Sequence, residues 1–352
     1  MIAITLHPPH DLRIEPLAAP PAPGTNEVVV AVSHGGICGS DLHYFHHGGF
    51  GSVRVREAMA LGHEVSGVIQ AIGDQVEDLA PGDRVAVNPS RPCDRCSYCQ
   101  KGQRNLCSDM RFNGSAMRSP HEQGLFRSLL LVPAEQVIPL SANTDLAKAA
   151  LTEPLAVCLH AVAQVDTVVG RKVLVSGAGP IGCLAIAAAR HAGAGQIIAT
   201  DIAAGPLTIA ETMGADTGLN LSDQPDALAA YREGRGHFDL VIECSGAEAA
   251  LRAGCEVLRP RGTLIALGLG AEPAVPMALI VTKELRLLGS FRFDAEFARA
   301  AQLIAEGHID VGPLITAVFP AEEAADAFAV ASDRSRSMKV QLDFGAGTDP
   351  GA

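Results

Sequence analysis

"KVLVSGAGPIGCLAIAAARHAGAGQIIATD" occupies residues 172–201 and decides the fold. "KVLVS" reads as a buried strand, "CLAIAAARH" as a helix, and "QIIATD" as a second strand ending in an acid. Between the first strand and the helix, Gly177, Gly179 and Gly182 form G-x-G-x-x-G, with Pro180 and Ile181 inside it. The motif has the strand–turn–helix context that gives it meaning. The first glycine allows a tight turn, the second lets backbone approach a pyrophosphate, and the third lets helix and strand pack closely. The helix N-terminus then faces the phosphates. Asp201 closes the second strand, placed to bind both ribose hydroxyls. Its charge repels a 2′-phosphate, and "IAAGPL" after it supplies no arginine. NAD is therefore expected over NADP.

More strands follow at "FDLVIECSG" (238–246), "GTLIALGLG" (262–270) and "ELRLLGSF" (284–291), with helical stretches such as "PLTIAETMGA" (206–215) between them. Alternating β and α units imply an α/β chain with a doubly wound parallel sheet of the Rossmann kind over residues 148–290. Residues 1–147 carry short β-rich segments and turns such as "PGDRV" (81–85). After the sheet, "FDAEFARAAQLIAEGHI" (293–309) reads as a helix and "MKVQLDF" (338–344) as a strand. Residues 291–352 are expected to rejoin the first segment, giving two domains.

A chain of 352 residues is comfortable for two cores. Its 39 acidic and 27 basic residues leave a formal charge of −12. With no basic run or stripe, nucleic acid is excluded as a partner. No apolar run is long enough for a bilayer, and "MIAITLHPPHDL" lacks the charged and apolar regions of a signal peptide. The expectation is a cytoplasmic protein whose thiols stay reduced. Four of the nine cysteines (Cys158, Cys183, Cys244 and Cys255) lie in apolar stretches and read as core packing.

Four others stand together in "CDRCSYCQKGQRNLC" (93–107). Cys93, Cys96, Cys99 and Cys107 can wrap one tetrahedral ion, and four protein thiolates leave no position for water or substrate. Zinc and an iron–sulfur cluster both accept such a set, and nothing else in the chain suggests electron transfer. Chemistry is expected elsewhere. "GGICGSDLHYF" (35–45) offers Cys38, Ser40, Asp41, His43 and Tyr44, while "LGHEVSG" (61–67) offers His63 and Glu64. One thiolate, one imidazole and one carboxylate are the ligand set of an open catalytic zinc. "TEPLAV" (152–157) adds Glu153, beside a proline suited to a helix start.

Taken in chain order, "GGICGSDLHYF", "LGHEVSG", "PGDRV", the cysteine cluster, "EPLAV" and "GAGPIG" resemble the zinc-dependent medium-chain dehydrogenases, over essentially the whole chain. "NPSRPCDRCSYC", "DMRFNGSAM" and "LGSFRF" are most similar to the sorbitol dehydrogenase branch, on its sugar-acid side. The resemblance implies a GroES-like β-rich catalytic domain beside the Rossmann domain, with NAD and two zinc ions per chain. It implies a catalytic zinc on Cys38, His63 and a carboxylate, with Glu64 ranked ahead of Glu153. A structural zinc would sit on the four clustered cysteines. The substrate would be a small-molecule sugar acid or polyol, and the assembly a homodimer or homotetramer.

Further roles follow from the same resemblance. Ser40 and His43 match a proton relay that runs through a ribose hydroxyl. Tyr44 matches a substrate-side residue. Leu267, Gly268 and Leu269, with Phe291, Arg292 and Phe293, match the stretches under the nicotinamide. Arg292 is the best placed cation for a substrate carboxylate, ahead of Arg111 and Arg118. Phe293 stands where sorbitol dehydrogenases usually have tyrosine, which removes one possible hydrogen bond to a plain polyol. The rival reading, a nucleotide-binding protein that kept the fold and lost activity, is disfavoured by the presence of Cys38, His63, Glu64 and Ser40.

Overall fold

The computed structural model describes residues 1–270, 272–334 and 337–346. The end of the expected second catalytic segment, residues 347–352, lies outside them. The chain forms two compact units: residues 1–153, 297–307 and those from 315 onward in one, residues 154–296 and 308–314 in the other.

The second unit is built on a six-stranded parallel sheet among the described residues. Its spatial order is Thr217–Asn220, Gln196–Asp201, Lys172–Ser176, Phe238–Glu243, Leu258–Ala266 and Arg286–Gly289. Counted along the chain this is 3-2-1-4-5-6, the doubly wound order whose direction reverses beside the first strand. That strand, "KVLVS", is buried over four of its five residues. Its backbone pairs on both sides, with Gln196–Asp201 and with Phe238–Glu243. The helix after the glycine turn runs Pro180–His191, with Gly179 at its N-cap and Pro180 in its first turn. Its alanines Ala185, Ala188 and Ala189 are fully buried.

Element ends differ from the sequence reading where backbone groups find other partners. The fifth strand ends at Ala266, because the N–H groups of Leu267 and Gly268 donate to the Glu243 carbonyl, 2.8 and 2.9 Å away. The helix read over 206–215 runs Ala204–Thr212 and stops before Gly214. The one read over 293–309 runs Glu296–Ala305 and stops before Gly307. Glycine favours both stops, since it leaves helical geometry at little steric cost.

The first unit holds a mostly antiparallel sheet centred on Glu27–Gly36. This ten-residue strand pairs along one edge with Glu64–Ile72. Its other edge is shared between Leu129–Pro133 and the last strand, Lys339–Asp343. The apolar run Val28–Val32 is buried throughout, as expected of a strand covered on both faces. Ile4, Val30, Phe126, Phe328 and Leu342 share its core cluster. Pairing Glu64 with Gly36, and Gln341 with Gly36 from the other side, brings three distant segments to one end of the sheet.

A Cβ added at Gly182 would lie 1.8 Å from the Gly177 carbonyl oxygen, so turn and helix approach closer than any side chain permits. Gly182→Ala is predicted to cost about 1–3 kcal/mol through overpacking. Thermal unfolding should show a Tm lower by several degrees, together with weaker NADH binding. An unchanged Tm would contradict the close approach.

Candidate active site

The site is assembled in the first unit from the ends of its elements. Cys38 is the N-cap of the Gly39–His47 helix. Asp41, three residues on, accepts the Cys38 N–H through Oδ2 at 3.0 Å, the reciprocal half of a capping box. The Asp41 Oδ1 accepts the Gly62 N–H at 3.2 Å, which draws the segment carrying His63 and Glu64 to the same helix end. Gly36 lies alongside in the neighbouring strand. A Cβ there would meet Glu64 Oε2 at 2.3 Å, so only glycine leaves room for that carboxylate.

The result is a three-donor set. One ligand atom each from Cys38, His63 and Glu64 lie within 4.8 Å of one another. His63 and Glu64 are buried. Asp41 is fully buried too, and its Oδ1 stands 3.7 Å from His63 Nδ1, an ion-pair contact too long for a hydrogen bond. His63 Nδ1 is a buried nitrogen with no hydrogen bond of its own. Such a carboxylate behind a ligating histidine fixes ring orientation and raises ligand basicity.

The local field favours positive charge. Burial alone would strip the proton from His63, but Asp41, Cys38 and Glu153 outweigh it and push the imidazole above the usual histidine range. Burial likewise works against the charge on Lys339, and Glu64, Cys38 and Glu153 again reverse it. The Asp41 carboxyl is raised by burial, against the pull of His63. A pocket that stabilises an imidazolium and an ammonium together suits a divalent cation, which would displace the proton from its ligands. A soft thiolate beside an imidazole and a carboxylate matches zinc. Glu153 is buried at 6% exposure and stands outside the three-donor set, near enough for its charge to act on His63.

Two participants were given no role by the sequence reading. Asp41 had a signal: it follows Cys38 at capping-box spacing. Lys339 had none. Its Nζ donates to Glu64 Oε1 at 2.9 Å, to Glu64 Oε2 at 2.8 Å and to the Ile37 carbonyl at 3.1 Å.

Ser40 lies half-buried in the first turn of the Gly39–His47 helix, and His43 is exposed one turn later. Partial burial, with His47 and Arg334 nearby, holds the His43 imidazole below its ordinary value, so it is neutral and ready to accept a proton at pH 7. Tyr44 is buried at 2% exposure, and its hydroxyl accepts the Ala116 N–H at 3.2 Å. It thereby anchors the segment carrying Phe112, whose ring centroid is 5.8 Å from that of His63. Arg111 and Arg118 are committed to acids. The Arg111 Nη1 donates to Glu122 at 2.8 Å and Arg118 Nη1 to Asp109. That pairing weakens both as carboxylate binders.

The four clustered cysteines converge as a closed set. The Cys96 Sγ is 3.5 Å from Cys99 Sγ and 4.0 Å from Cys107 Sγ. Sulfurs of a tetrahedral zinc site stand about 3.8 Å apart, and a disulfide would need about 2.05 Å. Backbone N–H groups of Cys93, Cys99 and Asp109 point at these sulfurs over 3.2–3.5 Å. The Cys99 N–H is the main cause that holds the Cys96 thiol down, to about 5, while burial and the neighbouring thiols Cys96 and Cys107 push the Cys99 thiol up to about 12.

In the second unit, Asp201 Oδ2 accepts the Ala178 N–H at 2.7 Å, fixing the carboxylate against the glycine turn. Its Oδ1 accepts from Ile202 at 2.7 Å and Ala203 at 3.0 Å. Leu269 is exposed, as is Phe291. The Arg292 guanidinium sits 4.8 Å from the Phe291 ring centroid, and its backbone takes φ 55°. Phe293 is 1% exposed.

Residues 24–142 match the alcohol dehydrogenase GroES-like domain, and residues 180–306 the zinc-binding dehydrogenase domain. The chain is 40% identical over 320 residues to Escherichia coli L-idonate 5-dehydrogenase (NAD(P)(+)), covering 91% of this chain and 92% of that protein. It is 36% identical over 345 residues to bovine (Bos taurus) sorbitol dehydrogenase, covering 97% and 95%. The crystal structure of the E. coli L-idonate 5-dehydrogenase superposes with a TM-score of 0.93 at 37% identity, covering 97% of each chain.

Cys96→Ser is predicted to lose one zinc and to lower the Tm. The hydride-transfer rate, read in a single turnover on the folded fraction, should change little. A stable Cys96→Ser protein deficient only in that step would contradict a structural role for the cluster.

Proposed function

The chain belongs to the zinc-binding alcohol dehydrogenases with a GroES-like domain, oxidoreductases that act on CH–OH with NAD(P), and on that footing we propose that it oxidises a secondary alcohol of a sugar acid, L-idonate to 5-keto-D-gluconate, with NAD. The observation that carries the reading is the Cys38–His63–Glu64 set, with His63 and Glu64 buried, in a chain 40% identical to the E. coli L-idonate enzyme.

Cys38, His63 and Glu64, with Glu153 beside them, would hold the catalytic zinc, and Cys93, Cys96, Cys99 and Cys107 the structural one. When bound, the catalytic zinc supplies a Lewis acid that lowers the pKa of the substrate hydroxyl. Asp41 orients His63 from behind. Ser40 takes the hydroxyl proton toward the cofactor ribose, and His43, neutral at pH 7, receives it for release to solvent. Tyr44 holds the Phe112–Ala116 segment that shapes the substrate side. In the nucleotide domain, residues 148–290, Gly177, Gly179, Pro180, Ile181 and Gly182 receive the pyrophosphate, and Asp201 the adenosine ribose. Leu267, Gly268, Leu269, Phe291 and Phe293 flank the nicotinamide.

Arg292 is the proposed cation for the substrate carboxylate. The second reading is a polyol dehydrogenase acting on sorbitol or xylitol. It is favoured by the 36% identity to bovine sorbitol dehydrogenase, and disfavoured by Phe293 in place of a hydroxyl donor. The protein is proposed to work in the cytoplasm as a homodimer or homotetramer. Among the described residues, no helix is long and apolar enough to cross a membrane.

Three assays test the proposal. With NADH absorbance as readout, L-idonate should turn over faster than sorbitol and xylitol. Arg292→Ala should raise the KM for L-idonate about tenfold, the worth of one charge-assisted contact. Faster polyol turnover sinks the sugar-acid assignment, and unimpaired aldonate binding by Arg292→Ala removes Arg292 as the cation for the carboxylate. Asp201→Ala should narrow the preference for NAD over NADP in kcat/KM. An unchanged ratio would remove Asp201 as its source.

A further inference from the structure

We infer that Glu296 is a positioning residue for sugar-acid specificity: latched by His160, it holds the segment that carries Arg292. The inference deepens the proposed function and rests on reading Arg292 as the cation for a substrate carboxylate.

The latch lies within the second unit and joins residues far apart in the chain. The His160 Nδ1 stands 3.0 Å from Glu296 Oε1, 136 residues away. His160 sits on the Thr152–Val162 helix, and Glu296 opens the Glu296–Ala305 helix. The Gln164 Nε2 donates to the other ring nitrogen, His160 Nε2, at 3.0 Å. An imidazole that accepts at Nε2 carries its proton on Nδ1, so the neutral ring already presents an N–H to the carboxylate. The two side chains are 16% and 23% exposed, so water competes little for this bond. Burial works against the charge on Glu296, but the His160 bond and nearby backbone N–H groups outweigh it and hold the carboxyl down, to about 2.

The second carboxylate oxygen does the positioning. Glu296 Oε2 accepts the Asp294 N–H at 2.9 Å, two residues past Arg292. On the other side, the Ser290 N–H donates to the Ala266 carbonyl at 3.1 Å, at the end of the fifth strand. Between these two anchors Phe293 is buried and Arg292 takes φ 55°. A residue other than glycine stays in that left-handed region only where its surroundings over-determine it. Loosening the Asp294 anchor lets the Arg292 backbone relax toward ordinary geometry. Its guanidinium, held 4.8 Å from the Phe291 ring centroid, then moves with it. A bidentate arginine–carboxylate contact tolerates little displacement, because two parallel N–H groups must stay aligned. Glu296 and His160 thus act through Arg292. A polyol has no carboxylate to misalign, so the latch bears on the acid alone.

The test uses the full chain, with NADH absorbance as readout and L-idonate and sorbitol as the two substrates. Glu296→Ala should raise the KM for L-idonate about fivefold with kcat little changed, in the range of couplings between neighbouring residues. The KM for sorbitol should not move. In an Arg292→Ala background, Glu296→Ala should add nothing for L-idonate. If Glu296→Ala fails to fold by circular dichroism, His160→Leu, which frees the carboxylate without removing it, should shift the KM for L-idonate in the same direction. An unchanged KM for L-idonate would overturn the inference. So would an equal rise for sorbitol, the mark of a merely structural loss, or an undiminished further rise in the Arg292→Ala background. If Arg292→Ala alone leaves the KM for L-idonate unchanged, the reading of Arg292 beneath the inference fails, and the inference falls with it.

Discussion

A buried ion pair between Lys339 and Glu64, 275 residues apart in sequence, sets the geometry on which the site depends. Taking two such charges out of water is expensive unless every hydrogen-bonding group finds a partner. That requirement brings the last strand against the first unit's central strand, and the start of Glu64–Ile72 against Gly36. Once those three segments meet, Cys38 at the helix N-cap and His63 just before Glu64 have few other places to stand. Asp41 completes the frame by accepting from both Cys38 and Gly62.

The two cysteine-bearing sites show how similar donors serve opposite ends. At residues 93–107 four sulfurs close around one another, and backbone N–H groups point at the Cys96 and Cys107 sulfurs. Nothing remains for a substrate to bind. At Cys38 a single thiolate shares its neighbours with an imidazole and carboxylates, one of which already has an ammonium partner. The first set is saturated. The second is crowded with charge and only partly committed, which is the condition for chemistry.

The fold class was readable because its signals are local. "KVLVSGAGPIG" carries strand, turn and helix within a dozen residues, and each glycine answers a steric demand nearby. The three donors were readable by residue type: a cysteine, a histidine and a glutamate in short glycine-flanked stretches. Lys339 was not readable, because "MKVQLDF" looks like any strand with one polar residue, and its partner lies far away in the chain. Gly36 carries no local signal of its purpose. Its reason is the Glu64 carboxylate in the adjacent strand, which only register reveals. The ends of the fifth strand and of the helices were also misplaced by several residues, since carbonyl partners such as Glu243 lie outside any local window.

The central claim is that Cys38, His63 and Glu64 form a zinc site separate from the four-cysteine cluster. Metal analysis of the purified wild type and of His63→Ala, with circular dichroism to confirm the fold, tests it most directly. The account predicts two zinc ions per wild-type chain and one in folded, inactive His63→Ala protein. Two zinc ions retained in His63→Ala, or full activity with one, would contradict it.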